Sequence, residues 1–195
     1  EERPDHVLVQ SRDGDIFAGR YLIAADGANS VVIRSLGLRR GKALAAAIEV
    51  EVPAPPEIMH RFANMPVFIF GDLSIFPKAD HLSVGIGALH PKHGELQATL
   101  RRVMARYGIS LEDVPFYGHP IPVYLRREPI STARTLLVGD AAGLVDPFSG
   151  EGIRYAVKSG RLAAEAILSG HPEGYPTMIH RQIGLNHTFA IALAL

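Results

Sequence analysis

The sequence predicts a mixed α/β fold, α+β in part, and three observations lead there. Two short apolar runs, Tyr21-Leu22-Ile23-Ala24-Ala25 and Leu136-Leu137-Val138, run into Asp26-Gly27 and Gly139-Asp140, and a helical pattern follows each. Apolar runs bounded by turn residues read as buried parallel strands. Between them, Leu73, Ile75, Leu82, Val84 and Ile86 alternate with other residues around Phe76-Pro77-Lys78-Ala79-Asp80, which reads as an antiparallel hairpin. At 195 residues the chain is long enough for one good core or two small ones.

In order, Val7 and Val9 suggest a short strand, Ser11 to Asp15 a turn built on Asp13-Gly14, and Ile16-Phe17-Ala18 the return strand. After the strand 21–25, Asn29 or Ser30 can cap a helix from Val31 to Leu36, which Gly37 stops. Ala43 to Val52 reads as a strand ended by Pro53-Ala54-Pro55-Pro56, and Pro66 to Phe70 as another. Gly94 to Tyr107 is an amphipathic helix whose stripe is Leu96, Leu100, Val103, Met104 and Tyr107. Gly118 to Leu125 is a loop and strand crossing back, and Arg126-Arg127-Glu128-Pro129 is a solvated linker.

Residues 134–165 carry the most chemistry. Gly139 and Asp140 end a strand, Ala141, Ala142 and Gly143 follow, and Pro147 and Ser149 lead into Gly150-Glu151-Gly152. A helix then begins, with a stripe of Ile153, Ala156, Val157, Gly160, Ala163, Ala164 and Ile167. Glycines let backbone approach a ligand, and a helix N-terminus offers N–H donors and partial positive charge. Asp140, at the carboxyl end of a strand, can accept hydrogen bonds from the hydroxyls of a sugar or sugar alcohol. The set suits an extended anionic ligand. After Gly170-His171-Pro172 a further helix starts near Tyr175.

These residues also carry a resemblance. VGDAAGLVDPFSGEGI resembles the second flavin motif of FAD-dependent oxidoreductases with the para-hydroxybenzoate hydroxylase fold, and within them the geranylgeranyl reductase family. ADGANSVVIR is similar to the family's DG motif, ADGxxSxVR, and SIFPKADHLSVGIG to its FPK segment. The resemblance implies a partial FAD-binding Rossmann-like domain, residues 1–37 and 131–170, and an antiparallel β-sheet substrate domain with a packed helix, residues 38–130. Residues 171–195 would begin a C-terminal helical segment. It implies that Asp140 holds the ribityl chain of FAD, in the turn that also contains Gly139, Ala141 and Gly143. Pro147, Gly150, Glu151, Gly152 and Ile153 would pass along the isoalloxazine ring, and Asp26 and Gly27 would sit near the pyrophosphate. The sheet would form an isoprenoid cavity with Phe76 and Val84 on its wall. Lys78 is a candidate catalytic acid, set against the ordinary role of a solvated turn lysine.

Two departures stand out. Arginine falls at Arg34, one place beyond the motif position held by Ile33, which turns its guanidinium by about 100° round a helix. Leu73 and Ser74 occupy the positions before FPK where the family has aromatic residues.

The function implied is hydride transfer from reduced FAD to a carbon–carbon double bond of a geranylgeranyl-type isoprenoid, with NADPH or another reductant as electron donor. The alternative within the same fold is an FAD-dependent aromatic monooxygenase. The absence of tryptophan argues against the flavin halogenases, and the intact glycines argue against a domain kept only for protein interaction.

Composition excludes several classes. Lys plus Arg equals Asp plus Glu at 20 each, so no nucleic-acid partner is implied. There is no cysteine for a disulfide, thiol nucleophile or iron–sulfur site. No apolar run reaches the ~18 residues that span a bilayer, and the terminal TFAIALAL is shorter. The expected location is cytoplasmic, with peripheral membrane contact through a lipid substrate. His90 and His93, or His171 and His180, lack a third ligand at zinc-like spacing, so no metal is expected. Ser110, Ser131 and Ser149 lack a nucleophile-elbow context.

The chain begins without Met and contains no GxGxxG; Gly85 and Gly87 lie in a strand pattern without a third glycine. It reads as a fragment lacking the βαβ unit that would hold the ADP half of FAD. The expected outcome is that this stretch alone binds FAD weakly or not at all; fluorescence titration of the purified stretch checks it, and micromolar binding would contradict it.

Overall fold

The computed structural model of the chain describes residues 1–38, 45–62, 66–69, 73–124 and 128–194. The expected strand positions Ala43, Leu44 and Phe70, and Leu125, Arg126 and Arg127 of the expected strand and linker, lie outside these residues. The chain forms two units, Glu1–Ala43 with Ile121–Leu195, and Leu44–Pro120.

In the first unit, β1 (Val7–Gln10) and β2 (Ile16–Gly19) pair antiparallel, with Gln10 opposite Ile16. The turn closes through the Ser11 N–H to the Asp15 carbonyl at 2.8 Å, with Gly14 at φ 95°. β3 (Leu22–Ala24) and β9 (Thr135–Leu137) pair parallel, Ala24 opposite Leu137. All of β9 is buried, as its apolar run requires. On β3 only Ala24 is buried and Ile23 is 40% exposed. The expectation of a fully buried strand is corrected there: of β3 only Ala24 enters the core that Leu136 and Leu137 of β9 share with Leu162 and Tyr175.

α1 (Val31–Leu36) begins at Ser30, whose hydroxyl accepts the Ile33 N–H at 3.0 Å, and stops at Gly37 in the left-handed region. α4 (Ile153–Leu168) buries Tyr155, Ser159, Leu162, Ala163 and Ala166. This corrects the expected stripe: Ile153 and Val157 are 84% and 71% exposed. The packed face is about a third of a turn away, with Ala163 common to both, and includes a polar residue, Ser159, whose hydroxyl is internally bonded. α5 (Tyr175–Ile179) continues through a π-helical turn, His180–Gly184, into α6 (Leu185–Ala194). Tyr175, Ile179 and Ile183 enter the same core as Leu136, Leu137 and Leu162, so the segment after 171 belongs to this unit.

The second unit is a five-stranded sheet in the order β5 (Val67–Ile69), β6 (Leu73–Pro77), β7 (His81–Leu89), β4 (Ala45–Pro53), β8 (Tyr117–Ile121). Register sets Val84 between Ile75 and Val50, so alternate residues share one apolar face. That face packs on Leu96, Leu100 and Met104 of α3 (Glu95–Arg106). The Pro55-Pro56 stop also starts a short helix, α2 (Pro56–Arg61), with proline in its first turn, where its missing N–H does no harm. No helix among the described residues is long and apolar enough to cross a membrane.

Leu100 is fully buried at the centre of the α3 contact. Leu100→Ala is expected to destabilise the protein by about 2–5 kcal/mol. A thermal melt checks this, and an unshifted midpoint would contradict the packing described.

Candidate functional site

Two turns leave the carboxyl ends of adjacent parallel strands. β3 runs into Asp26-Gly27 and β9 into Gly139-Asp140, and the Val138 N–H reaches the Ala24 carbonyl at 3.0 Å to lock their register. Ligands of α/β sheets bind at such ends.

At the first turn, Asp26 accepts the N–H groups of Val31 and Val32 at 2.8 and 3.2 Å. Partial burial works to raise its pKa. Hydrogen bonds from Ser30 and from the N–H groups of Val32 and Val31 outweigh that and hold it below the usual value. Asp26 therefore anchors the start of α1, a role its motif position does not reveal. Gly27 has φ 77°, a conformation that favours glycine. The Arg34 guanidinium donates to the Asn29 carbonyl at 2.8 Å, which ties it to its own loop.

At the second turn, Gly139–Ala142 forms one turn of 3-10 helix closed by Gly143 at φ 67°. Gly139 has φ 56°, and a Cβ there would stand 3.0 Å from the Cβ of Ala156, so α4 lies directly on the turn. Its N–H donates to Ser159 Oγ at 2.9 Å. Ala141 is buried and Asp140 half-buried. A Cβ on Gly152 would lie 3.5 Å from Asp140 Oδ1, so this carboxylate stands beside the first turn of α4.

The following turn folds on Asp146. Asp146 Oδ1 accepts the N–H groups of Phe148 and Ser149 at 2.9 and 2.8 Å, and the Asp146 N–H donates to the Glu151 carbonyl at 2.9 Å. Burial works to raise the Asp146 pKa, and the Ser149 and Phe148 N–H groups outweigh it, so the carboxyl is held below its usual value. Pro147 is half-buried; Gly150, Glu151 and Ile153 are exposed. The Gly150 N–H is taken by the Asp146 carbonyl at 3.0 Å and the Glu151 N–H by Ser149 Oγ at 3.3 Å. The donors left for a ligand are therefore those from Gly152 onward. No side chain caps α4 and no acidic residue lies in its first turn, so its 16-residue dipole ends bare beside Asp140.

In the other unit, Val84 is fully buried in the core on α3. This corrects its expected place on a cavity wall: the apolar face of the sheet is already covered by α3. The opposite face carries Ala47, Ser74, Phe76, Gly85 and Gly87, with the Ser83 hydroxyl bonded to Glu49 at 2.5 Å. Phe76 is 39% exposed there. Lys78 is exposed in the hairpin turn, where its backbone N–H meets the His81 carbonyl at 2.9 Å. His81 lies between Asp80 Oδ1 at 2.6 Å and Glu51 Oε2 at 2.8 Å. Among the described residues no three His, Asp or Glu side chains group as metal ligands.

Three supports escaped the sequence reading: Ser159, Asp146 and Tyr175. Tyr175 is fully buried and its hydroxyl donates to the Leu137 carbonyl at 2.5 Å, pinning the strand that delivers the second turn. Burial pushes this phenol far above its usual pKa. Asp146 sits in the quoted motif, and its Asp-Pro pair was the signal available. Nothing in the sequence marks Ser159 or Tyr175.

No family model matches the chain. It is 37% identical over 164 residues to geranylgeranyl diphosphate reductase from Arabidopsis thaliana, covering 78% of this chain and 34% of that protein. It is 30% identical over 215 residues to menaquinone reductase from Mycolicibacterium smegmatis, covering 99% of this chain and 52% of that protein. The chain belongs to the geranylgeranyl reductase family of FAD-dependent oxidoreductases. It spans about half the length, or less, of these curated relatives. A geranylgeranyl bacteriochlorophyll reductase-like protein from Thermoplasma acidophilum shares the fold, with a TM-score of 0.69 at 23% identity over 96% of this chain and 55% of that one.

Because hydrogen bonds depress the Asp26 pKa below 3.8, its stabilisation is full above the unfolded value and lost as pH falls through the folded one. Asp26→Ala should cost about 0.5–2 kcal/mol at neutral pH, as loss of a helix cap does. Melts of both proteins from pH 7 to pH 2 should converge at the acid end; a constant gap would contradict the assignment.

Proposed function

We propose that the full-length protein is a flavin-dependent reductase that delivers hydride to a carbon–carbon double bond of an isoprenoid substrate. The observation that carries this reading is the pair of turns at the ends of β3 and β9, with Asp140 beside the bare start of α4. The residues fit the cofactor. An extended dinucleotide needs close backbone approach, a hydroxyl acceptor and a positive helix end, and this unit has all three.

FAD, when bound, supplies the hydride. Asp140 accepts hydrogen bonds from ribityl hydroxyls. The Gly152 and Ile153 N–H groups, with the α4 dipole behind them, favour negative charge on the ring edge they face. Gly139, Ala141 and Gly143 keep that turn small. Pro147 and Gly150 shape the rim, and Asp26 and Gly27 shape the neighbouring turn. The face of the second unit's sheet that carries Phe76, Gly85 and Gly87 takes the prenyl chain, since small residues leave room for a slender apolar ligand. Arabidopsis and mycobacterial relatives named for reducing a geranylgeranyl diphosphate and a menaquinone support an isoprenoid-type substrate. NADPH or another reductant supplies the electrons, and lipid-borne substrate brings peripheral membrane contact.

The full-length protein is tested anaerobically: its flavin is reduced, a geranylgeranyl substrate is added and flavin absorbance is followed. Reoxidation without oxygen supports the reductase; reoxidation only with oxygen overturns it in favour of a monooxygenase. Asp140→Ala should weaken FAD binding by roughly tenfold or more, as expected for loss of charged hydrogen bonds; unchanged affinity would remove Asp140 from the site.

A further inference from the structure

His187, on α6, is fully buried, and among the described residues neither of its ring nitrogens has a hydrogen-bond partner. Buried polar atoms in folded proteins are nearly always bonded, so an orphaned imidazole calls for a reason. Its Nε2 points at Asp146 Oδ2, 3.7 Å away. Asp146 is the residue whose other oxygen holds the Phe148 and Ser149 N–H groups.

Three features fix the ring there. Tyr155 of α4 meets it edge-on, with centroids 4.5 Å apart. Tyr124 lies on another side, with centroids 6.3 Å apart. Tyr124 can come so close because residue 184 is glycine: a Cβ there would stand 2.5 Å from the tyrosine ring. Gly184 also ends the π-helical turn, whose extra residue rotates everything after it by about 100° and brings position 187 to face Asp146. The ionisable or polar groups around the imidazole are thus Asp146, Tyr155 and Tyr124, with His180 stacked beyond Tyr124.

We infer that His187 is a positioning residue for the turn 146–153: its Nε2–H secures the Asp146 carboxylate, which in turn holds the turn's backbone. The Ser149 and Tyr155 side chains also lie against this carboxylate, but with both its N–H bonds on one oxygen it can still rotate and release them at once. An imidazole on the second oxygen blocks that rotation. A shift of about 0.8–1 Å closes 3.7 Å to a charge-assisted hydrogen bond. Helix α6 thereby controls how well the bare end of α4 is presented. The consequence for cofactor binding rests on the flavin reading above; the effect on the turn does not.

The test uses the full-length protein and its variants His187→Leu and His187→Gln. Leucine removes two unpartnered nitrogens, so if His187 only fills space this variant should be as stable as wild type or more so, with the turn unchanged. If it positions Asp146, the Phe148 and Ser149 amides of the FAD-free protein should exchange with solvent about tenfold faster, while Leu136–Val138 stay protected. Glutamine, which carries an N–H at similar reach, should restore slow exchange. FAD affinity should fall about tenfold in the leucine variant and recover with glutamine. Wild-type exchange in His187→Leu overturns the role. An exchange response without any FAD binding by the wild type keeps the role and removes the flavin reading. Should the leucine variant not fold, His187→Asn, too short to reach Asp146, is compared with glutamine, and equal exchange in the two overturns the proposal.

Discussion

The contact on which the first unit depends is the seating of α4 on the turn after β9. Gly139 makes it possible: its left-handed backbone and missing side chain let Ala156 approach so closely that a Cβ would stand only 3.0 Å from the Ala156 Cβ. Ser159 completes it by accepting the Gly139 N–H while donating to the Ala156 carbonyl. One turn of helix and one turn of loop are thus joined by packing and by one hydrogen bond, from the Gly139 N–H to Ser159, whose hydroxyl is set by its own bond within α4. Everything the candidate site uses follows from that joint. Asp140, the next residue, stands beside the first turn of α4, whose N-cap Gly152 offers no capping side chain.

The rest of the unit stiffens that joint from behind. Tyr175 bonds the Leu137 carbonyl, so the strand feeding the turn is held from the side of α5. The parallel register with β3 brings the Asp26 turn alongside. Asp26 uses its carboxylate to hold α1, and Asp146 uses its own to fold the loop that leads into α4. Hydrogen bonds, from the Ser30 side chain and backbone N–H groups to Asp26 and from the Ser149 and Phe148 N–H groups to Asp146, are why both stay ionised to lower pH than an ordinary aspartate. Rigidity at such a site favours ligand binding, since a turn already in place loses little freedom when a ligand arrives.

The second unit shows how a sheet divides its two faces. Every second residue of β4, β6 and β7 is apolar and packs on α3, leaving small and polar side chains on the other side. A substrate surface on such a sheet must be the small-residue face, because the apolar one is already occupied. This removes Val84 as a contact and leaves Phe76, which the same alternation turns outward.

Much of this was legible in the chain. The hairpin turn at Asp13-Gly14, the Ser30 cap, the Gly37 stop, the stripe of α3 and the buried run of β9 all follow from local rules of turn chemistry and periodicity, which need only neighbours in sequence. The flavoprotein motifs named the turns. Other features could not be read this way, because they depend on residues far apart along the chain. The buried face of α4 departs from the apolar stripe because it holds Ser159, whose bonding partner Gly139 lies 20 residues away. Val84 is covered by α3, which the alternation of its own strand does not announce. The Asp146–His187 alignment joins residues on a loop and a late helix, and depends on a π turn that no periodicity announces. Sequence determined which segments turn, cap and alternate, since those energies are local; only the tertiary structure decided which face is inside and which polar group has a partner, since burial and hydrogen bonding are settled by what arrives from elsewhere in the chain.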